Sequence, residues 1–140
     1  IMTRLYPRIF STPRVGRTIV AACVGQELHE MGIRMLCDLF EVHGWDSVYL
    51  GAAVPEQGII SSVQEHNPDI LALSVTMAHH LEQAESIIRS LRENHVGPTT
   101  KIAVGGRAFQ IAPQLAMTWG ADVTAADATA LLTWADENLG

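Results

Sequence analysis

Two cysteines, Cys23 and Cys37, are too few in 140 residues for a disulfide scaffold, and they fit a reducing compartment. Long apolar runs are also missing. No stretch approaches the roughly 18 residues that a membrane span needs, and no basic-then-apolar leader opens the sequence. Charged residues are scarce at 17%, and the net charge is −6, which argues against a direct nucleic-acid-binding surface. Repeats and low-complexity tracts are absent. What is present is apolar: 48% of residues are hydrophobic, which excludes intrinsic disorder. The expectation is one cytoplasmic domain with a single core and no membrane association.

Residues 1–14 differ from the rest. Arg4, Arg8 and Arg14 alternate with Pro7 and Pro13 around Leu5, Tyr6, Ile9 and Phe10. They are expected to form an extended lead-in or linker, with residues 15–140 as the domain. From residue 17 a regular alternation begins. Arg17 to Val24, Asp46 to Leu50, Asp69 to Val75, Lys101 to Val104 and Ala121 to Thr124 are short apolar runs of strand type. Between them lie segments of helical spacing. Glu30 to His43 carries Ile33, Leu36, Cys37 and Phe40 on one face and ends at Gly44. Pro55 opens a second helix that Asn67-Pro68 breaks. His80 to Glu93 forms a third, with Leu81, Ala84, Ile88 and Leu91 inward. A helical segment after Gly105-Gly106 begins at or is split by Pro113 and is capped by Gly120. Asp127 reads as the N-cap of a last helix reaching Asn138.

Five strands alternating with five helices predict an α/β domain with a doubly wound parallel sheet, helices on both faces and the flavodoxin-like order 2-1-3-4-5. Ligands of such sheets bind beyond the carboxyl ends of the strands. The loop after the first strand reads Gly25-Gln26-Glu27-Leu28-His29-Glu30-Met31-Gly32. A histidine that ligates a metal through one ring nitrogen usually gives its other N–H to a carboxylate, and Glu27 is spaced to serve His29 in this way. Gly32 allows close approach of backbone and ligand. A surface histidine at a helix start is the plainer alternative. At the third strand, alternation places Ser74 and Thr76 on one side, flanking Val75, so that two hydroxyls face one ligand. Gly105-Gly106 at the fourth strand removes side chains from the floor of the crevice. Ordinary strand-end hydrogen bonding and a simple turn are the alternatives.

Taken together, Glu27-x-His29-x-x-Gly32, Ser74-Val75-Thr76 and Gly105-Gly106 resemble the hallmark of the cobalamin-binding domain family, over about residues 15 to 139. The resemblance implies that His29 is the lower cobalt ligand and Glu27 its hydrogen-bond partner. It also implies that Leu28, Glu30, Met31 and Gly32 line the cofactor, and that the displaced nucleotide base is buried among Ser74, Val75, Thr76, Gly105 and Gly106, with Ala126 and Asp127 at the fifth strand's edge. Two positions depart from the common pattern: Glu27 stands where Asp is usual, and Thr76 where Leu is usual. The Glu-x-His version resembles light-sensing cobalamin-dependent regulators.

Other ligand-like residues have plainer readings. His79-His80 lies at the ligand edge as a solvated helix start or a corrin contact. Cys37 and His43 lack a second pair for a tetrahedral zinc site. His66 and His95 sit near helix ends, where the dipole favours a cation. Trp45, Trp119 and Trp134 read as packing. Asp127 reads first as a helix cap. Rival chemistries of the fold fail on sequence: no acidic residue ends the third strand, and there is no G-x-G-x-x-G, P-loop lysine or Gly-x-Ser-x-Gly elbow.

The resemblance therefore implies a cobalamin cofactor (adenosyl- or methylcobalamin) with its cobalt, in a sensory or regulatory module, a photoreceptor by the Glu-x-His variant. The alternatives are a cobalamin-carrying subunit of a mutase or corrinoid methyltransferase, and a family member that holds haem or nothing. A covering domain, second copy or partner subunit is expected over the upper corrin face.

Overall fold

The computed structural model describes residues 15–24, 31–51 and 54–139. The lead-in at residues 1–14 and the loop at residues 25–30, with Glu27, Leu28, His29 and Glu30, lie outside the described residues. Five strands form one parallel sheet: β1 (Thr18–Cys23), β2 (Asp46–Gly51), β3 (Ile70–Ser74), β4 (Lys101–Gly105) and β5 (Val123–Thr124). Their order is β2-β1-β3-β4-β5, as the alternation predicts. The helices are α1 (Met31–Val42), α2 (Glu56–His66), α3 (Leu81–Glu93), α4 (Arg107–Ile111) and α5 (Ala128–Asn138).

Local sequence sets the boundaries. Asn67 takes the left-handed conformation (φ 45°) and its N–H closes α2 on the Val63 carbonyl. Asp127 caps α5, its carboxylate accepting from the Ala130 N–H at 2.8 Å. Two expected helices are shortened. A 3-10 turn, Ala78–His80, precedes α3, so His80 lies before the helix. Pro113 splits the segment after β4: α4 stops at Ile111 and a second 3-10 turn, Ala116–Trp119, follows, closed by Gly120 at φ 113°. Proline lacks the N–H that would continue the helix.

The two faces of the sheet carry side chains of different size. On one face, Val20, Leu71 and Ile102 stand in register across β1, β3 and β4, followed by Ala22, Leu73 and Val104. They pack against α2 and α3 through Ile59, Val63, Ile87, Ile88 and Leu91. On the other face the rows are Ala21, Ala72 and Ala103, then Cys23, Ser74 and Gly105. Here α1 and α5 pack through Ile33, Leu36, Phe40, Leu131 and Leu132. The three tryptophans are packing residues. Trp45 is buried edge-on to Phe40 at 5.0 Å, Trp119 is buried near Phe109 at 6.1 Å, and Trp134 packs on the α1–α5 cluster.

Arg92 on α3 fastens the far edge. It donates to the Gly120 carbonyl at 3.0 Å, the Thr100 carbonyl at 3.2 Å and Asp122 at 2.6 Å. Asp122 in turn accepts from the Ile102 N–H at 2.8 Å, which ties the two-residue strand β5 to β4.

Gly106 has a backbone role, set by a contact distant in sequence. Its φ is 100°, and a Cβ there would lie 2.4 Å from the Val75 carbonyl oxygen. Gly16 also has a positive φ, of 76°, but a Cβ there would meet nothing within 4 Å. The expected outcome is that Gly16→Ala costs about 1 kcal/mol, for conformation alone. Gly106→Ala should cost about 2 kcal/mol or more, because a backbone collision is added. Urea denaturation of the two variants checks the difference, and equal midpoints would contradict it.

Candidate functional site: an apolar recess at the carboxyl edge

The alanine row leaves the centre of the α1–α5 face short of volume. Tyr49 and Val123 flank it on β2 and β5, while Ala21, Ala72 and Ala103 occupy the three central strands. Helices α1 and α5 lie over it and leave a recess of 450 Å³. That volume falls within the roughly 300–1,000 Å³ of small-molecule sites. Ala72 and Ala103 form part of its lining, with Ile33 and Leu36 from α1 and Leu131 from α5. Ser74, Gly105 and Gly106 line its strand-end rim, and Ala125 to Thr129 line the side where β5 turns into α5.

The structure thus brings Ser74, Gly105, Gly106, Ala126 and Asp127 to one recess. Val75 and Thr76 are not among its lining residues. β3 ends at Ser74, so the alternation that would pair Ser74 with Thr76 does not continue. Val75 is fully buried in the opposite cluster, its N–H bonded to the Gly105 carbonyl at 2.9 Å and its own carbonyl accepting from Ala108 at 3.1 Å. The backbones after β3 and β4 are therefore stitched together, and Gly106 is a glycine because Val75 crosses it. Gly106 lines the recess, as expected of the paired glycines, and has this backbone reason besides to lack a side chain. At Gly105 a Cβ would lie 3.0 Å from the Ala125 carbonyl oxygen, so the close approach there is also to backbone. The clearing is done lower down, by Ala72 and Ala103. Sequence reading missed these two because alanines 31 residues apart form a row only once β3 and β4 pair.

Met31 and Gly32 form the first turn of α1. His79 is exposed and His80 half-buried at the same edge of the sheet, their rings 4.1 Å apart. Among the described residues no group of three or more His, Cys, Asp or Glu side chains is placed to hold a metal ion. Cys37 is buried, whereas His43 is exposed with Nδ1 2.9 Å from the Leu39 carbonyl. Burial first, and then Asp38 and Glu41, push the Cys37 thiol from 9.0 up to about 11, against a hydrogen bond with Ser47. It is therefore neither a thiolate ligand nor a nucleophile near neutral pH.

A doubly wound sheet with an apolar recess beyond its carboxyl edge defines a cofactor-binding domain of the flavodoxin-like kind. More particularly, the chain belongs to the B12-binding domain family, whose family model matches residues 17–133. Its cofactor is cobalamin, which contains cobalt. The chain is 30% identical over 111 residues to a D-ornithine 4,5-aminomutase subunit beta of Acetoanaerobium sticklandii, covering 74% of this chain and 15% of that subunit. It is 29% identical over 102 residues to a dimethylamine corrinoid protein of Methanosarcina barkeri, covering 73% of this chain and 47% of that protein. The solved structure of a cobalamin-binding protein from Desulfitobacterium hafniense DCB-2 superimposes with a TM-score of 0.81 at 25% identity, covering 99% of this chain and 64% of that one. The chain thus spans half or less of the length of these two curated relatives.

The lining fits the nucleotide end of such a cofactor, since a flat heteroaromatic base needs apolar walls and few polar partners. Two outcomes are expected. Ala103→Leu should fill the recess and weaken binding of cobalamin by about ten-fold or more, leaving cobinamide, which lacks the nucleotide, little changed. Equal losses in a spectrophotometric titration would mean that the recess does not take the tail. Cys37 should resist iodoacetamide at pH 8 until the protein is unfolded, as mass spectrometry would show. The folded thiol keeps a proton that the unfolded one releases, so stability should also fall as pH rises from 9.0 towards about 11.

Proposed function

We infer that this chain is the corrinoid-carrying module of a larger methyltransferase or mutase, with His29 as the lower cobalt ligand and the nucleotide tail held in the recess. The observation that carries this reading is the recess itself, cleared by Ala72 and Ala103, with Ile33 on its wall four residues after His29 in the chain. The names of the relatives support a carrier over the sensory module expected from the Glu-x-His variant: one is a mutase subunit and the other a corrinoid protein. That the chain spans only 15% and 47% of those proteins supports a further domain or partner subunit over the upper corrin face.

Once bound, the corrinoid supplies cobalt-centred group transfer or rearrangement. The chain's own residues hold and orient it. His29 would offer an unprotonated ring nitrogen, and Glu27 would accept the other ring N–H and fix the tautomer. On this reading Leu28, Glu30, Met31 and Gly32 would be further cofactor contacts. Ser74 and the apolar walls take the base, Ala126 and Asp127 bound the recess beside α5, and the stitched Val75–Gly106 backbone, with Thr76 just beyond, keeps its rim in place.

The test is the absorption spectrum of the purified chain loaded with methylcobalamin. His29→Ala should shift it to a water-ligated form, and acid should do the same to the unaltered protein as the ring is protonated. A spectrum indifferent to His29→Ala would remove that residue from the cobalt. Size-exclusion chromatography of apo, dark holo and illuminated holo protein separates the two roles. A carrier elutes alike in all three states, whereas an association state that changes on illumination would restore the sensory module.

A further inference from the structure

We propose that the recess sorts corrinoids by the base on their nucleotide tail, accepting a benzimidazole-type base and rejecting an aminopurine, with Ala72, Ala103 and Ser74 as the selecting residues. The proposal rests on the reading that the tail enters this recess.

A base released from cobalt exposes the ring nitrogen that had bonded it, which is a hydrogen-bond acceptor. A benzimidazole presents that acceptor and an otherwise hydrocarbon rim. An aminopurine adds two further ring nitrogens and an amino group with two N–H donors. The described residues of the recess supply little for them. Its walls are Ile33, Leu36 and Leu131, and Ala72 and Ala103 lie beneath. The backbone groups under the alanines belong to the β3–β4 ladder.

Among the described residues, the polar side chains of the lining are Ser74, Asp127 and Thr129. Asp127 and Thr129 are exposed, and one Asp127 carboxylate oxygen is held by the Ala130 N–H. Ser74 is half-buried, and its row neighbour on β4 is Gly105, which has no side chain to intervene. Among the described residues no side-chain hydrogen bond engages the Ser74 hydroxyl. One hydroxyl matches one acceptor, which suits the benzimidazole. The additional polar groups of a purine would face methyl groups, and each buried polar group left unmet weakens binding by about ten-fold. Discrimination of this kind is the strong one, because it rests on unsatisfied polar groups rather than on size.

The experiment titrates the purified chain with three corrinoids that share one upper ligand: cobalamin, its adenine-tailed analogue and tail-less cobinamide. Dissociation constants are read from the absorption spectrum. The expected order is cobalamin tighter than the adenine-tailed form by about ten-fold or more. If the two tailed forms bind equally and both bind tighter than cobinamide, selectivity is overturned while tail burial stands. If all three bind equally, or none binds, the tail reading fails and the proposal with it. Ala103→Ser, a near-isosteric change that adds one hydroxyl beneath the base, should narrow the preference. An unchanged ratio would overturn the role given to Ala103.

Discussion

A difference in side-chain volume between the two faces of one sheet governs the rest of this structure. Protein interiors normally reach a packing density near 0.74, with few voids larger than a water molecule. The α2–α3 face is filled by the buried side chains of Val20, Leu71, Ile102, Leu73 and Val104. The α1–α5 face is short of volume at its centre, because Ala21, Ala72 and Ala103 present only methyl groups. The larger side chains of Tyr49 and Val123 at the edges, and of Ile33, Leu36 and Leu131 on the helices, hold α1 and α5 off the alanines. The recess is thus an outcome of register as much as of composition.

A recess of that size would collapse on a loose scaffold, and two devices resist this. The first is the crossing of Val75 and Gly106, which couples the loops after β3 and β4 through hydrogen bonds of 2.9 and 3.1 Å. The second is Arg92, whose guanidinium gathers the carbonyls of Thr100 and Gly120 and the carboxylate of Asp122. Asp122 passes this restraint to β4 through the Ile102 N–H. β5 is only two residues long, so its own ladder contributes little, and the Arg92 contacts help to fix the side of the recess from which α5 departs.

The strand order and the alternation of elements were legible in the sequence because buried parallel strands read as short apolar runs and the helices carry a 3.6-residue period. Asp127 was legible as a cap for the same local reason: its carboxylate serves an N–H three residues on. What escaped the sequence depends on partners far along the chain. Gly106 needs its missing side chain because of Val75, 31 positions earlier, and nothing near Gly106 signals that crossing. Thr76 looked equivalent to Ser74 by alternation, but the strand stops between them. The alanine row escaped because Ala21, Ala72 and Ala103 are unremarkable singly. Glu27 and His29 are the opposite case: their spacing suggests a ligand pair from the sequence alone, and they lie outside the described residues.

The apolar character of the recess also bears on how association responds to temperature. Water in such a place has few polar neighbours and is released when an apolar ring enters. Transfer of that kind leaves a negative heat-capacity change as its mark. Calorimetry across a range of temperatures would therefore show whether a ligand's association draws on the hydration of the alanine-floored recess.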